Sequence, residues 1–439
     1  MKKLARSDSA KVLLARLAVA GGQILLIPFA VHQLGVAGFG IYSVMLQVGL
    51  LLRLLVAEHV AQVVLRYRSE WGADGLGDVL ERLGLRYLGL SAAVVAAVAL
   101  ASFRVAGSFS LSTQQWAIAV LFGLVMGVFS YQVACLFARK AIFEGAALEG
   151  AQGLLVVGAP VAAGQLLPCP ETYGLAGAAA TAACSAVGLC LDRRAERWLA
   201  SSHGEPVERR YRVVLASYGL PLALTYLLYW VVGVADRFQI AALLGPLQTG
   251  TYVSAYQLLV APVNLVMSAV LAGWQPGLFA MDRSQAKSEL ARFGRAFGAI
   301  GLAYIVASVV VGPWLVATLT GHAVRPSPLL AVILAAAGVA QGGANVATVW
   351  AKHRGLANLV LLGVALGATV VLFGNAMLLP YFGIAAAAAT TCCAYCIQGV
   401  VAISSRRPAV EAQGATGASR LRRGADKVRD CKSSSSRLK

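Results

Sequence analysis

Leu34-Gly35-Val36-Ala37-Gly38-Phe39-Gly40-Ile41-Tyr42 and Leu244-Gly245-Pro246-Leu247-Gln248-Thr249-Gly250-Thr251-Tyr252 share one short pattern, Leu-Gly-x4-Gly-x-Tyr. The second copy stands 210 residues after the first, close to half of the 439-residue chain. Each copy closes one long apolar stretch and opens another (LGVAGFGIYSVMLQ and LGPLQTGTYVSAYQ). A recurrence at that distance points to two copies of one unit. Paired halves are an ordinary architecture of membrane transport proteins, with the transported molecule handled between them.

Composition supports a membrane protein. The chain is 59% hydrophobic and 13% charged, with a mean hydropathy of +0.73. That exceeds what a soluble domain of this length carries. A helix crosses the hydrocarbon layer with about 20 apolar residues. The apolar runs are long and rich in Ala, Gly, Leu and Val, without the short alternation of barrel strands, so helices are favoured. The expected fold is an all-α polytopic membrane protein of about twelve transmembrane helices in two parallel six-helix bundles. The expected spans are residues 12–34, 38–62, 83–103, 116–138, 150–167, 173–191, 213–243, 250–280, 296–319, 328–350, 356–377 and 380–403.

The net charge of +18 would fit a nucleic-acid partner, but its placement excludes one. Of 37 Lys and Arg residues, 32 fall in segments that lie on one side of this topology. Arg104 and Arg325 fall on the other side, and Arg16, Arg53 and Arg237 lie within spans. This asymmetry is the positive-inside rule, which puts both termini in the cytoplasm and the protein in the inner (cytoplasmic) membrane.

Residues 1–192 form the expected first bundle, 193–212 a cytoplasmic linker, 213–403 the second bundle and 404–439 a basic tail. Six spans per half is an even number, so the second half enters the membrane in the same orientation as the first. The repeat is therefore parallel, related by an axis along the membrane normal. Gly35, Gly40, Gly245 and Gly250 suit tight outer turns. Tyr42 and Tyr252 are expected at the membrane interface. The inner loop Arg66–Arg82 is expected to be polar and modest. Lys2, Lys3 and Ala18-Val19-Ala20 imitate a signal peptide, but the apolar run continues to Leu34, so an uncleaved first span is expected. Cys393-x-x-Cys396 has a redox spacing, yet sits in an apolar helix without a nearby His and reads as packing.

Enzyme motifs are scarce. There is no phosphate-binding P-loop, His-Glu-x-x-His or Gly-x-Ser-x-Gly sequence, and no metal ligand set or cofactor is expected. What remains are ionisable groups inside spans, costly in hydrocarbon and marks of a pathway. Arg16 lies in the first span and Arg53 deep in the second. Asp236-Arg237 lie in the seventh, with Thr225, Tyr226, Tyr229, Trp230 and Gln239 around them. Gln341, Asn345 and Thr348 share one face of the tenth span, either lining a passage or joining two helices by hydrogen bonds.

Arg16, the Leu34-to-Tyr42 turn, Asp236-Arg237 and the Leu244-to-Tyr252 turn together resemble the polysaccharide branch of the multidrug/oligosaccharidyl-lipid/polysaccharide (MOP) exporter superfamily, the O-antigen and related flippases. The resemblance spans nearly all of the transmembrane chain. Pro246 departs from the small or polar residue usual in the second turn, and the first half is poor in acidic residues. The resemblance implies two six-helix halves and transport of an undecaprenyl-diphosphate-linked oligosaccharide from the cytoplasmic to the outer face, for surface polysaccharide synthesis. Membrane lipids and glycan-assembly proteins are the implied partners. Arg16, Arg53, Asp236, Arg237, Gln341 and Asn345 are the candidate substrate-binding residues. Two alternatives stay open: a drug or cation antiporter of the same superfamily, which wants cavity carboxylates, and a membrane-embedded glycan polymerase or ligase, which wants a large outer loop.

Overall fold

A computed structural model describes residues 2–103, 107–191, 205–279 and 281–404; of residues 2–20 it describes the backbone path. The helices run in chain order as α1 (Lys2–Arg53), α2 (His59–Ala73), α3 (Gly77–Ala101), α4 (Thr113–Ala138), α5 (Ile142–Gly164), α6 (Pro170–Leu191), α7 (Glu205–Val214), α8 (Leu220–Leu244), α9 (Pro246–Leu259), α10 (Ala261–Phe279), α11 (Arg283–Leu319), α12 (Pro328–His353), α13 (Ala357–Phe382) and α14 (Ile384–Ser404). Two π turns, Leu54–Glu58 and Leu215–Gly219, join α1 to α2 and α7 to α8. Among the described residues, ten helical stretches are long and apolar enough to cross a membrane.

One of the ten, Ile24–Ala73, runs through the bend of α1 at Gly35. In a straight helix Leu26 and Gln47 would be about 30 Å apart. Both line one cavity, so the chain folds back at Gly35 and α1 supplies two passes. The pair α9–α10, meeting at Val260, fills the place of the eighth expected span. Each of the twelve expected spans thus has a helical counterpart.

Gly35 (φ 68°, ψ 170°) and Gly245 (φ 85°, ψ 178°) adopt the same backbone conformation, one reserved for glycine. The repeat extends well past the two turns. Ser112 caps α4 by accepting the Gln115 N–H, and Ser327 caps α12 by accepting the Leu330 N–H, 215 residues on. Arg139 ends α4 and Arg354 ends α12, and each is followed by a residue with positive φ, Lys140 (64°) and Gly355 (72°).

The two halves meet reciprocally. A Cβ on Gly40 would stand 2.1 Å from the Pro246 carbonyl oxygen, and one on Gly250 would stand 1.9 Å from that of Val36. Pro246 follows Gly245 as Val36 follows Gly35, so each half offers its sixth-position glycine to the other half's first-turn carbonyl. Without a hydrophobic force between helices in lipid, such small-residue crossings let backbones pack by dispersion alone. Gly40 and Gly250 are therefore crossing glycines and not turn residues. Tyr42 and Tyr252, expected at the interface, are fully buried beneath this crossing. Tyr42 packs edge-on to Tyr173 at 5.2 Å, and Tyr252 donates a hydrogen bond to Asp236 Oδ2 at 2.5 Å.

Several helices run past their expected ends. The segment 66–82, expected to be a loop, is helical except for a tight turn at 74–76, with Gly75 at φ 75°. α11 starts at Arg283, capped by Asp282 through the Ser284 and Gln285 N–H groups. Residues 205–212 of the expected linker are helical, and the rest of that linker lies outside the described residues, as does the tail from 405. A helix end is set by its cap, and hydropathy marks only where the hydrocarbon stops. The charges in these extensions are paired. Buried Glu81 accepts from Arg68 Nε at 2.6 Å and from Arg139 Nε at 2.9 Å. Tyr211 is buried against Trp71 and Tyr87, and Arg210 lies over the Trp71 ring and reaches Asp74 at 3.1 Å. The start of the second half is thus clamped to the α2–α3 hairpin at the basic end of the bundle. Around the bundle, exposed Leu90, Val94, Leu220, Leu224 and Val310 form the apolar jacket that a bilayer would cover.

Candidate functional site

Between the halves lies a cavity of about 150 Å³. The first half lines it with Ile27, Tyr42, Ser43, Gln47, Met126 and Gln152, and the second with Arg237, Val253 and Gln257. Six of these form three pairs 210 residues apart: Ile27 with Arg237, Ser43 with Val253, and Gln47 with Gln257. The cavity therefore takes corresponding positions from both halves, with most of its lining from the first. Only the glutamine pair shares its chemistry: a serine corresponds to a valine, and an isoleucine to a cation.

Arg237 is 4% exposed. Its guanidinium carbon lies 5.0 Å over the Tyr256 ring, and its buried Nε makes no hydrogen bond among the described residues. Arginine carries five donors and stays charged, so a buried guanidinium held mainly by a ring face keeps unused capacity for an anion. Its neighbour Asp236 is 0% exposed and already occupied. Oδ1 accepts the Arg237 backbone N–H at 2.7 Å, and Oδ2 accepts the Tyr252 hydroxyl and that of Thr391 at 3.3 Å. Asp236 thus ties α8 to α9 and α14 and offsets the charge beside it. The two side chains, adjacent in sequence, diverge as neighbours on a helix do: one to the packing, one to the cavity.

Arg53 ends α1, three residues beyond the cavity-lining Leu50 toward the basic end. Its Nη1 donates to Ser130 Oγ at 3.1 Å and lies 3.8 Å from Glu58 Oε2. Gln341 and Asn345 lie away from these groups, inside the second half. Gln341 Oε1 accepts from Asn264 Nδ2 at 2.5 Å, the helix-joining arrangement, and Asn345 is half-buried. The side chain of Arg16 lies outside the described residues; its backbone is part of α1. The structure thus brings Arg237 to the cavity wall, turns Asp236 into the packing behind it, sets Arg53 one turn beyond the cavity, and keeps Gln341 and Asn345 out of its lining.

Gln47, Gln257, Gln152 and Tyr256 are not among the residues that sequence reasoning singles out. For the first two a signal exists: the matched stretches LGVAGFGIYSVMLQ and LGPLQTGTYVSAYQ both end in Gln, five residues after the Tyr. Gln152, hydrogen-bonded to Thr181 at 3.2 Å, and Tyr256 carry no such mark. Among the described residues no group of His, Cys, Asp and Glu is arranged to hold a metal ion.

A sequence profile of the family described as "Polysaccharide biosynthesis protein" matches residues 199–327. Curated protein sequences give no match. Solved structures do. A MATE transporter variant superposes over 90% of this chain and 94% of its own, with a TM-score of 0.59 at 12% identity. A MOP superfamily transporter from Pyrococcus furiosus covers 90% and 94%, with a TM-score of 0.57 at 11% identity. A variant of the Vibrio cholerae MATE transporter VcmN covers 91% and 94%, with a TM-score of 0.52 at 16% identity. The chain is a multi-pass membrane protein with the fold of the MOP superfamily transporters, as the motifs in its sequence implied.

Proposed function

We propose that this protein is a flippase that moves a polyprenyl-diphosphate-linked oligosaccharide across the cytoplasmic membrane for surface polysaccharide synthesis. The observation that carries this reading is Arg237: a buried, incompletely paired guanidinium on the wall of the cavity between the halves. A diphosphate is anionic and offers forked acceptor oxygens that match a guanidinium. Gln47, Gln152 and Gln257 provide neutral donors and acceptors for sugar hydroxyls beside it. The polyprenyl chain stays in lipid. The profile match to polysaccharide biosynthesis proteins over 199–327 includes the Asp236-Arg237 pair and supports the same substrate class.

Transport proceeds by rocking of the two halves about the cavity. The positive-inside asymmetry puts the basic end in the cytoplasm and the Gly40–Gly250 crossing outside. Outward movement of each negative charge then gains about 2.3 kcal/mol per 100 mV of membrane potential. Arg16, Arg53 and Arg237 are the cations that receive the headgroup, with Asp236 setting the orientation of the last. Gln341 and Asn345 contribute from within the second half once it moves.

An antiporter of the same fold is the competing reading. It needs a carboxylate free to take up and release a cation. Asp236 is saturated by three donors, and Glu58 is engaged by Gln62 and Arg53, which favours the flippase. The cation on the cavity wall, with the carboxylate turned into the packing, supports the flippase over the antiporter. The test is glycan export in cells that depend on this protein. At matched protein levels Arg237→Ala lowers export roughly 10- to 100-fold and Arg237→Lys retains more of it. Normal export by the alanine variant, or drug efflux that survives it, overturns the reading.

A further inference from the structure

The π turn Leu54–Glu58 creates a contact that a regular helix would not allow. Residues five apart on an α-helix point about 140° away from each other. A π turn, with its i→i+5 bonding, returns them to one face, and such turns are frequent at functional sites. Here it places Arg53 Nη1 3.8 Å from Glu58 Oε2. That separation is an ion pair without a hydrogen bond. Glu58 is held on its other oxygen, where Oε1 accepts from Gln62 Nε2 at 2.8 Å. Arg53 makes one hydrogen bond among the described residues, to Ser130, and its buried Nε has no partner. A fork of five donors is thus held by one hydroxyl and one distant carboxylate.

The pair sits on the route to the cavity. Leu50 and Met126 line the cavity, and Arg53 and Ser130 follow on the same two helices, one turn nearer the basic end. The second half closes on the pair from the other side. A Cβ on Gly219, the last residue of the second π turn, would stand 2.5 Å from the His59 carbonyl oxygen, and His59 directly follows Glu58. A change in how the halves meet at this end therefore reaches Glu58 through its own backbone.

We propose that Glu58 is the resident counter-anion of Arg53 and is exchanged for the phosphate of an incoming lipid diphosphate, so that Glu58 sets which anions enter. This rests on the flippase reading of the cavity. Arg53 is paired with a carboxylate that reaches it poorly. A singly charged anion gains little by displacing that carboxylate. A diphosphate brings more charge and forks onto the free edge of the guanidinium, and it wins the exchange. Glu58 then keeps Gln62 as its partner, so neither charge is left bare during the exchange. Glu58 is a positioning and selectivity residue; Arg53 makes the contact.

The test is calorimetric binding of inorganic diphosphate and inorganic phosphate to the full-length protein in nanodiscs. The unaltered protein prefers diphosphate. Glu58→Gln keeps the Gln62 contact, removes the competing charge and binds phosphate about tenfold or more tightly, so the preference for diphosphate narrows. The gain disappears in Arg53→Ala/Glu58→Gln. Unchanged or weaker binding by Glu58→Gln, or a gain that persists without Arg53, overturns the proposal. Should Glu58→Gln fold poorly, Glu58→Asp retains the charge but shortens its reach, and a smaller gain is expected. If Glu58 only braced the helix, both variants would bind more weakly. Farnesyl diphosphate separates the two readings. If it binds no tighter than inorganic diphosphate, and glycan export continues without the protein, the flippase reading falls while the Glu58 exchange stands on its own result.

Discussion

The two halves share a backbone and divide the chemistry. Gly35 and Gly245 take the same glycine-only conformation, Gly40 and Gly250 each pack on a backbone carbonyl of the opposite half, and Ser112 and Ser327 cap corresponding helices. At the cavity the correspondence breaks: Arg237 corresponds to Ile27, and Asp236 stands where the first half has Leu26. Away from the cavity it breaks again. Arg139 is locked to buried Glu81, whereas its counterpart Arg354 lies 5.8 Å over the Trp350 ring. Symmetry is retained where the halves pack on each other. Its loss at the cavity fits the proposed binding of one anion, since two cations on the walls of a small cavity would repel.

The largest expected effect tests the break at the basic end. Arg139→Ala removes one of two partners of a buried carboxylate and costs about 3 kcal/mol. Thermal unfolding in detergent reads the loss, and an unchanged midpoint would mean that Glu81 does not need its second partner. Next comes the cavity. Arg237→Ile forfeits a charge-assisted contact of about 1.5–3 kcal/mol, a loss of export of roughly 10- to 100-fold. Moving the cation to the other half, as Ile27→Arg with Arg237→Ile, should recover part of that export. A swap no better than Arg237→Ile alone would show that the two walls are not interchangeable.

Smaller effects sharpen the shared part. Gly40→Ala and Gly250→Ala each push a methyl against a backbone carbonyl and should cost about 1–3 kcal/mol apiece, by similar amounts because the contact is reciprocal. Unequal costs would argue that only one side of the crossing is tight. Ser112→Ala and Ser327→Ala each lose a helix cap worth about 1 kcal/mol. Hydrogen exchange at Gln115 and Leu330 would register both, and a change at one alone would separate the helices they begin.

Much of this is legible in the sequence. Apolar length and the sidedness of Lys and Arg give the passes, and the Leu-Gly-x4-Gly-x-Tyr pair gives the repeat. The Asp236-Arg237 pair stands out because hydrocarbon penalises charge. The same reasoning misjudges what charges near the membrane surface do. Arg68 and Arg139 count in the sequence only toward topology, whereas with Glu81 they form a buried cluster that extends the helices beyond the hydrocarbon. The difference between Gly35 and Gly40 is not legible at all. One is set by its own φ and ψ, the other by a carbonyl of the opposite half, and only tertiary structure distinguishes them. The glutamines at 47 and 257 are readable from the repeat itself once the match is followed five residues past the tyrosines.

The size of the cavity has a pharmacological consequence. At about 150 Å³ it is smaller than the roughly 300–1,000 Å³ that encloses a drug-sized ligand, and an oligosaccharide is larger still. On the flippase reading, cargo would need a wider conformation than this one. A compound that mimics the glycan would compete with it in some other conformation. A compact, doubly charged anion with a short apolar rim would instead fit between Arg237 and the glutamines and hold the protein unloaded. Such an inhibitor would not compete with cargo for the same shape, and raising the cargo concentration would relieve it only as far as cargo draws the population toward the open form.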